Sequence, residues 1–168
     1  MGATRRIRRE HGQLVGRGGI VLHHQSWLPE QEPAAVVVIQ HGIGNHGDRF
    51  ADLAERLVAD GNAVFALDQR GHGRSQGAPA FIDRFSDLVD DLRSFIDGIR
   101  VSSPGRPLFL FGHSWGGLVS LAYTIRFQHK LHGLVLCAAG IEPAVASADQ
   151  IAAVHQLARD AHICRSWN

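Results

Sequence analysis

Cysteine is scarce: Cys137 and Cys164 are the two in 168 residues, and they form no C-x-x-C pair. That excludes a disulfide framework and offers no cysteine-based metal or redox motif, so both are expected to be reduced packing residues of a cytoplasmic protein. Long hydrophobic runs are lacking too. None approaches the roughly 20 apolar residues a membrane-spanning helix requires, and no transmembrane segment is expected. The N-terminal positive charges are not followed by an apolar stretch, so no secretory signal is expected. An excess of charge of one sign is also missing: the net charge is +1, which argues against general nucleic-acid binding. Arg5, Arg6, Arg8 and Arg9 make a local basic cluster, read as a solvated, frayed end. Histidine is plentiful at 11, yet no H-E-x-x-H or similar chelating pattern occurs. His23 and His24, adjacent on a strand, would point to opposite faces. Neither a metal nor a cofactor is expected.

What is present is an alternation of strands and helices. Leu14-Val15 and Ile20 to Leu28 read as two strands meeting at the Arg17-Gly18-Gly19 turn. Ala34 to Gln40 is a β-branched run expected of a strand covered on both faces. Phe50, Leu53, Leu57 and Val58 recur at helical spacing, with Gly61 where a C-terminal cap belongs. Ala63 to Leu67 is a second buried strand. After a Gly-rich loop, Phe85, Leu88, Leu92, Phe95, Ile96 and Ile99 line one side of a longer helix. Leu108 to Phe111, Leu118 to Ile125 and Gly133 to Ala139 then read as strand, helix and strand. Ser147 and Gln150 fit a capping box for a last helix with Ile151, Val154 and Leu157 as its apolar stripe. This order implies an α/β fold: a mostly parallel sheet, helices on both faces and an N-terminal antiparallel hairpin.

Chemistry is carried by Gly112-His113-Ser114-Trp115-Gly116, a G-x-S-x-G sequence between a strand and a helix. A serine at the tip of so sharp a turn needs small neighbours two residues away on either side, because larger side chains would collide with the turn. The helix that follows aims its N-terminal dipole and free N–H groups at the reaction centre. Ser114 is therefore the candidate nucleophile. His41-Gly42-Ile43-Gly44 follows the Ala34 to Gln40 strand, where an oxyanion-binding loop would lie. The backbone N–H groups of Ile43 and Trp115 are the candidate donors to the negative charge that acyl transfer builds on a carbonyl oxygen. In the third motif, Asp68 to Ser75, Asp68 and Arg70 read as a structural charge network holding the loop. His72 is a poor base, because the acid and histidine of such enzymes follow the serine in the chain.

Taken together, HGIGNHGDRF, ALDQRGHGRSQG and LFGHSWGGLVSLAY, in this order and spacing, resemble the monoacylglycerol lipase and lysophospholipase branch of the α/β-hydrolases, the serine aminopeptidase-like or hydrolase 4 group. The resemblance runs from about Gly18 to about Pro143. It implies an esterase with Ser114 as nucleophile and Ile43 and Trp115 as oxyanion donors, supported by His41, Gly42, Gly112, His113 and Gly116. The substrate it implies is a small acyl ester, monoglyceride- or lysolipid-like. Family members usually carry Met after the serine; Trp115 departs from that and bears on the shape of the acyl pocket.

The family places its acid and histidine on later strands, beyond a cap inserted after the Gly133 to Ala139 strand. The expectation is a single, partial domain over residues 1–168, with 144–168 as the start of the cap and the C-terminal strands missing. Glu142, Asp149, Asp160, His129, His132, His155 and His162 are the acids and bases that follow Ser114, and none is well placed for a triad. An apolar strand left at the sheet edge would also favour self-association. Three readings stay open: an ester hydrolase with an incomplete triad, an inactive hydrolase remnant, and a peptidase, C–C hydrolase or acyltransferase on the same fold. Epoxide hydrolase and haloalkane dehalogenase chemistry is disfavoured, because their elbow nucleophile is Asp.

Overall fold

The computed structural model describes residues 6–140. Its elements run β1 (Ile7–Val15), β2 (Val21–Pro29), β3 (Val36–Gln40), α1 (Ala51–Ala59), β4 (Ala63–Leu67), α2 (Phe85–Ser102), β5 (Leu108–His113), α3 (Trp115–Phe127) and β6 (Gly133–Cys137). The six strands form one sheet in the order β1-β2-β4-β3-β5-β6. β1 pairs β2 and β2 pairs β4 antiparallel, whereas the β4-β3, β3-β5 and β5-β6 ladders are parallel.

Alternation along the central strands divides the core between the two faces. Val36 and Val38 of β3, with Ala63 and Leu67 of β4, face the larger cluster, where Leu88, Leu92 and Ile96 of α2 and Val119 and Tyr123 of α3 close over them. Ile39, Val64 and Ala66 face the other way, onto Trp27 and onto Ala54 and Val58 of α1. Helices therefore cover both faces. α2 forms because its buried residues recur at three- and four-residue spacing, with Asp87 in its first turn and Arg100 in its last complementing the helix dipole. α1 stops at Gly61, whose φ of 87° suits a glycine, as the Gly61 N–H bonds the Val58 carbonyl and the Asn62 N–H bonds that of Leu57.

The hairpin departs from the sequence expectation. β1 begins at Ile7, paired in register with Pro29, rather than at Leu14. Arg8 and Arg9 consequently lie in a strand and not in a frayed end. The Arg9 guanidinium stacks 5.0 Å from the Trp27 ring, donates to Gln25 Oε1 at 2.9 Å and pairs with Asp48. Arg5 lies outside the described residues.

Further corrections concern the other end of the sheet. The strand expected to reach Ala139 stops at Cys137, and among the described residues β6 pairs with β5 alone. Val135 is 51% exposed and Cys137 is exposed, so neither is buried packing, whereas Leu134 of β6 packs against the larger core cluster. Cys164, the last helix, the cap from 144 and the residues Glu142, Asp149, Asp160, His155 and His162 lie outside the described residues. His129 and His132 are exposed, and His132 Nδ1 accepts the Leu108 N–H at 3.1 Å.

Arg70 and Asp68 anchor the Gly-rich loop, but as two separate networks. Arg70 spans from that loop to α2, with Nε 2.7 Å from Asp91 Oδ2 and Nη2 2.9 Å from Asp91 Oδ1. Asp91 Oδ1 also accepts the Arg17 N–H at 2.7 Å, and Arg70 Nη2 donates to the Arg17 carbonyl at 3.0 Å, which ties the hairpin turn to the same pair. Hydrogen bonding to Asp91 raises the Arg70 pKa further above its already high value. Removing one partner of a buried ion pair strands the other charge, so Asp91→Ala should lower stability by about 3–5 kcal/mol. Asp97→Ala, which breaks the more exposed contacts of Asp97 with Lys130 and Arg93, should cost about 1 kcal/mol or less. Urea unfolding of the two variants checks the contrast; equal losses would contradict it.

Candidate active site

The site sits at the carboxyl ends of β3 and β5, where an open parallel sheet places its ligands. β5 ends at His113, and Ser114 follows with φ 51° and ψ −120°, a conformation rarely adopted by a residue with a side chain. Two backbone bonds hold it: the Ser114 N–H donates to the Cys137 carbonyl at 2.9 Å, and the Ser114 carbonyl accepts the Gly117 N–H at 2.9 Å. α3 begins at Trp115, directly behind the serine.

The small residues of the motif are required by close approach. A β-carbon on Gly116 would lie 2.3 Å from the carbonyl oxygens of both Gln40 and His41, which are backbone atoms and cannot swing aside. One on Gly112 would lie 2.6 Å from Ser120 Oγ and 2.8 Å from the Gly116 carbonyl oxygen. Gly42 packs against the elbow itself, since a β-carbon there would meet that of Ser114 at 3.1 Å and His113 Nδ1 at 3.2 Å. The structure thus brings Gly42, Gly112, His113, Ser114 and Gly116 together.

The loop after β3 turns at once, with the Asn45 N–H donating to the Gly42 carbonyl at 3.2 Å. Ile43, at the tip, is 60% exposed. The backbone N–H groups of Ile43 and Trp115 have no hydrogen-bond acceptor among the described residues, as an oxyanion site requires. The Trp115 side chain packs edge-on against Phe85, ring centres 5.5 Å apart, and against the larger core cluster. His113 is half-buried, its ring edge-on to Phe50 at 5.8 Å.

His41 is fully buried and makes no hydrogen bond to Ser114 Oγ. Its Nε2 accepts the Gln69 N–H at 2.9 Å and its Nδ1 lies 2.7 Å from the Gly42 carbonyl. Burial lowers its pKa from 6.5 to about 4, so the ring is neutral near pH 7. His72 Nδ1 lies 3.0 Å from the Arg70 carbonyl. Among the described residues no histidine bonds the Ser114 hydroxyl. Asp68 is likewise structural. Its carboxylate accepts the Gly47 N–H at 2.7 Å and the Arg74 N–H at 3.0 Å, joining the Ile43 loop to the Gly-rich loop, and lies 3.2 Å from His23 Nδ1. Gln69 carried no signal in the sequence, because its backbone N–H and its side-chain amide both bond His41, a residue 28 positions away. Among the described residues no group of His, Cys, Asp and Glu is placed to hold a metal ion, and no helix is long and apolar enough to cross a membrane.

Close approach at Gly116 generates a prediction. Gly116→Ala should lower stability by about 1–3 kcal/mol or more through overpacking. Gly98→Ala, on the exposed side of α2 with nothing near its added β-carbon, should raise it by about 0.5–1 kcal/mol. Chemical denaturation measures both, and a neutral Gly116→Ala would contradict the packing described.

Comparison with known proteins bears on the family and the fold. The family model described as Serine aminopeptidase, S33 (Hydrolase 4) matches residues 31–164. A monoacylglycerol lipase of Mycolicibacterium smegmatis is 35% identical over 88% of this chain and 51% of its own length. The human monoglyceride lipase is 34% identical over 73% of this chain and 41% of its own. The chain thus spans about half the length, or less, of these curated relatives. Among solved structures, a lipase in its open form is 28% identical with a TM-score of 0.71, covering 77% of this chain and 44% of that one. A thermostable carboxyl esterase from Bacillus coagulans in complex with glycerol, 22% identical with a TM-score of 0.72 over 79% of this chain and 44% of that one, shares the fold. The chain belongs to the serine aminopeptidase S33 family of α/β-hydrolases.

Proposed function

We propose that this chain carries the nucleophile and oxyanion donors of a serine carboxylic-ester hydrolase acting on monoglyceride- or lysolipid-like esters. The observation that carries the reading is Ser114 at φ 51° and ψ −120° between β5 and α3, with Gly42 packed against it and with no acceptor among the described residues for the N–H groups of Ile43 and Trp115. Ser114 Oγ attacks the ester carbonyl carbon as its proton passes to a base, and the carbonyl oxygen becomes the oxyanion that the two N–H groups receive. Collapse expels the alcohol, which takes the proton, and leaves an acyl-enzyme that water hydrolyses. The base and its acid partner belong, in this reading, outside the described residues. The substrate class is supported by the relatives, which include a monoacylglycerol lipase and, at 31% identity over 66% of this chain and 42% of its own, a phospholipase of Bacillus subtilis. A cytoplasmic setting and self-association through the open β6 edge belong to the same reading, supported by the lack of a disulfide framework and by the exposed Val135.

A second reading, a hydrolase fold without turnover, is favoured by the absence of any described histidine bonded to Ser114. Release of glycerol from 1-monooleoylglycerol, and of fatty acid from a lysophosphatidylcholine, separates the two. The proposal expects release that falls to background in Ser114→Ala. Release that is absent, or indifferent to Ser114→Ala, would favour the second.

A further inference from the structure

We propose that His11 and His23 form a proton-sensitive latch that fastens the edge strand β1 to the loops anchored by Asp68. The latch holds while the two imidazoles carry one added proton or none, and opens when both are cationic. The inference stands apart from the ester-hydrolase reading of Ser114.

Little else holds β1. It lies at the edge of the sheet, pairs β2 alone and reaches the core clusters through Ile7 and Leu14, while most of its other side chains are exposed. An element with few buried apolar contacts opens at low free-energy cost. Polar side chains supply the further attachment. Arg9 and His11 stand on one face of β1, since strand side chains alternate. Arg9 donates to Gln25 and pairs with Asp48, while His11 reaches diagonally across the ladder to His23, its Nδ1 3.2 Å from His23 Nε2. His23 is 8% exposed, and its Nδ1 lies 3.2 Å from Asp68 Oδ2. Asp68 in turn accepts the Gly47 and Arg74 N–H groups. A chain of hydrogen bonds thus runs from β1 through β2 to the two loops that Asp68 joins.

The protons in that chain follow from its donors. The Gly47 and Arg74 N–H groups can only donate, so the Asp68 carboxylate meets them as an acceptor. It also takes the His23 Nδ1–H, which leaves His23 Nε2 as the variable atom. With both rings neutral, Nε2 is bare and accepts the His11 Nδ1–H. With one added proton, the cationic ring donates to the neutral one, and Asp68 offsets the charge. With two, an N–H faces an N–H and two like charges are in contact, so the bond is lost.

The neighbouring charges bear on that second proton. Arg9 comes from β1, and Arg74 and Asp68 come from the Gly-rich loop. His46, Asp48, Asp68 and Arg74 line, with His23, a cavity of about 290 Å³. His24 lies on the opposite face of β2. Desolvation, then His23, Arg74 and Arg9, hold the His11 pKa below its ordinary 6.5, against the raising effect of Asp68. Detachment of β1 would return His11 toward 6.5, so the detached strand binds the proton more readily than the docked one. Docking is therefore strongest above pH 6.5 and is lost as pH falls from there through the lowered value.

Amide hydrogen exchange of the full chain, expressed as protection factors, measures the detachment of β1. Protection in β1 should fall between about pH 8 and about pH 5, and roughly 10-fold further than in His11→Gln, the factor that one unit of pKa displacement gives. Glutamine donates or accepts without titrating, so it keeps the contact with His23 at either pH. His24 titrates in both chains and cancels from the comparison. With His23→Gln added to both, the two falls should differ by less than about twofold. By proton NMR, His11 should titrate below 6.5 in the unaltered chain and higher in His23→Gln. Equal falls with and without His11, a difference that persists without His23, or a His11 titrating at or above 6.5 in the unaltered chain would overturn the latch. If His23→Gln does not fold, the first comparison and the His11 titration of the unaltered chain decide the matter.

Discussion

Ser114 is held at φ 51° by the close approach of three segments: the end of β5, the first turn of α3 and the loop leaving β3. Backbone strain of this kind costs about 1–3 kcal/mol and persists only where the surroundings over-determine it. Here they do. Gly116 sits against two β3-end carbonyls, Gly112 against the first turn of α3, and the Ser114 N–H bonds the Cys137 carbonyl across to β6. Two parallel ladders, β3-β5 and β5-β6, bring these carbonyls to the carboxyl end of the sheet, so the turn depends on strand register as much as on its own sequence.

The surrounding polar groups serve the same loops. Asp68 joins the Ile43 loop to the Gly-rich loop, His41 and Gln69 join the ends of β3 and β4, and the Arg70-Asp91 pair carries the Gly-rich loop onto α2. Each anchor is buried, and each uses backbone N–H or carbonyl groups as partners. Loops at the mouth of a sheet would otherwise be the least ordered part of the fold. Here they hold the Gly42 loop against Ser114 and leave the N–H groups of Ile43 and Trp115 without an acceptor among the described residues.

The central strands, α2 and the elbow were legible in the sequence because each has a local pattern: β-branched runs for β3 and β4, apolar spacing for α2, and small residues around Ser114. β1 was not, since Arg8, Arg9, Glu10 and His11 occupy an edge strand whose polar face meets solvent, and its pairing with β2 is set by the hairpin. Asp91 was hidden within the apolar face of α2, where the arrival of Arg70 and of the Arg17 N–H from distant loops makes a carboxylate tolerable. The apolar sequence of β6 suggested an interior strand, whereas among the described residues Val135 is exposed at the sheet edge. His41 could be read as part of a motif, but its role rests on a backbone N–H 28 residues away, which no local spacing encodes.

Whether Ser114 is a poised nucleophile is the central claim, and a fluorophosphonate probe tests it most directly. Mass spectrometry of the labelled, folded chain should show one phosphonyl group per chain, attached at Ser114 and lost in Ser114→Ala. No labelling of the folded chain, or labelling at another residue, would contradict the account.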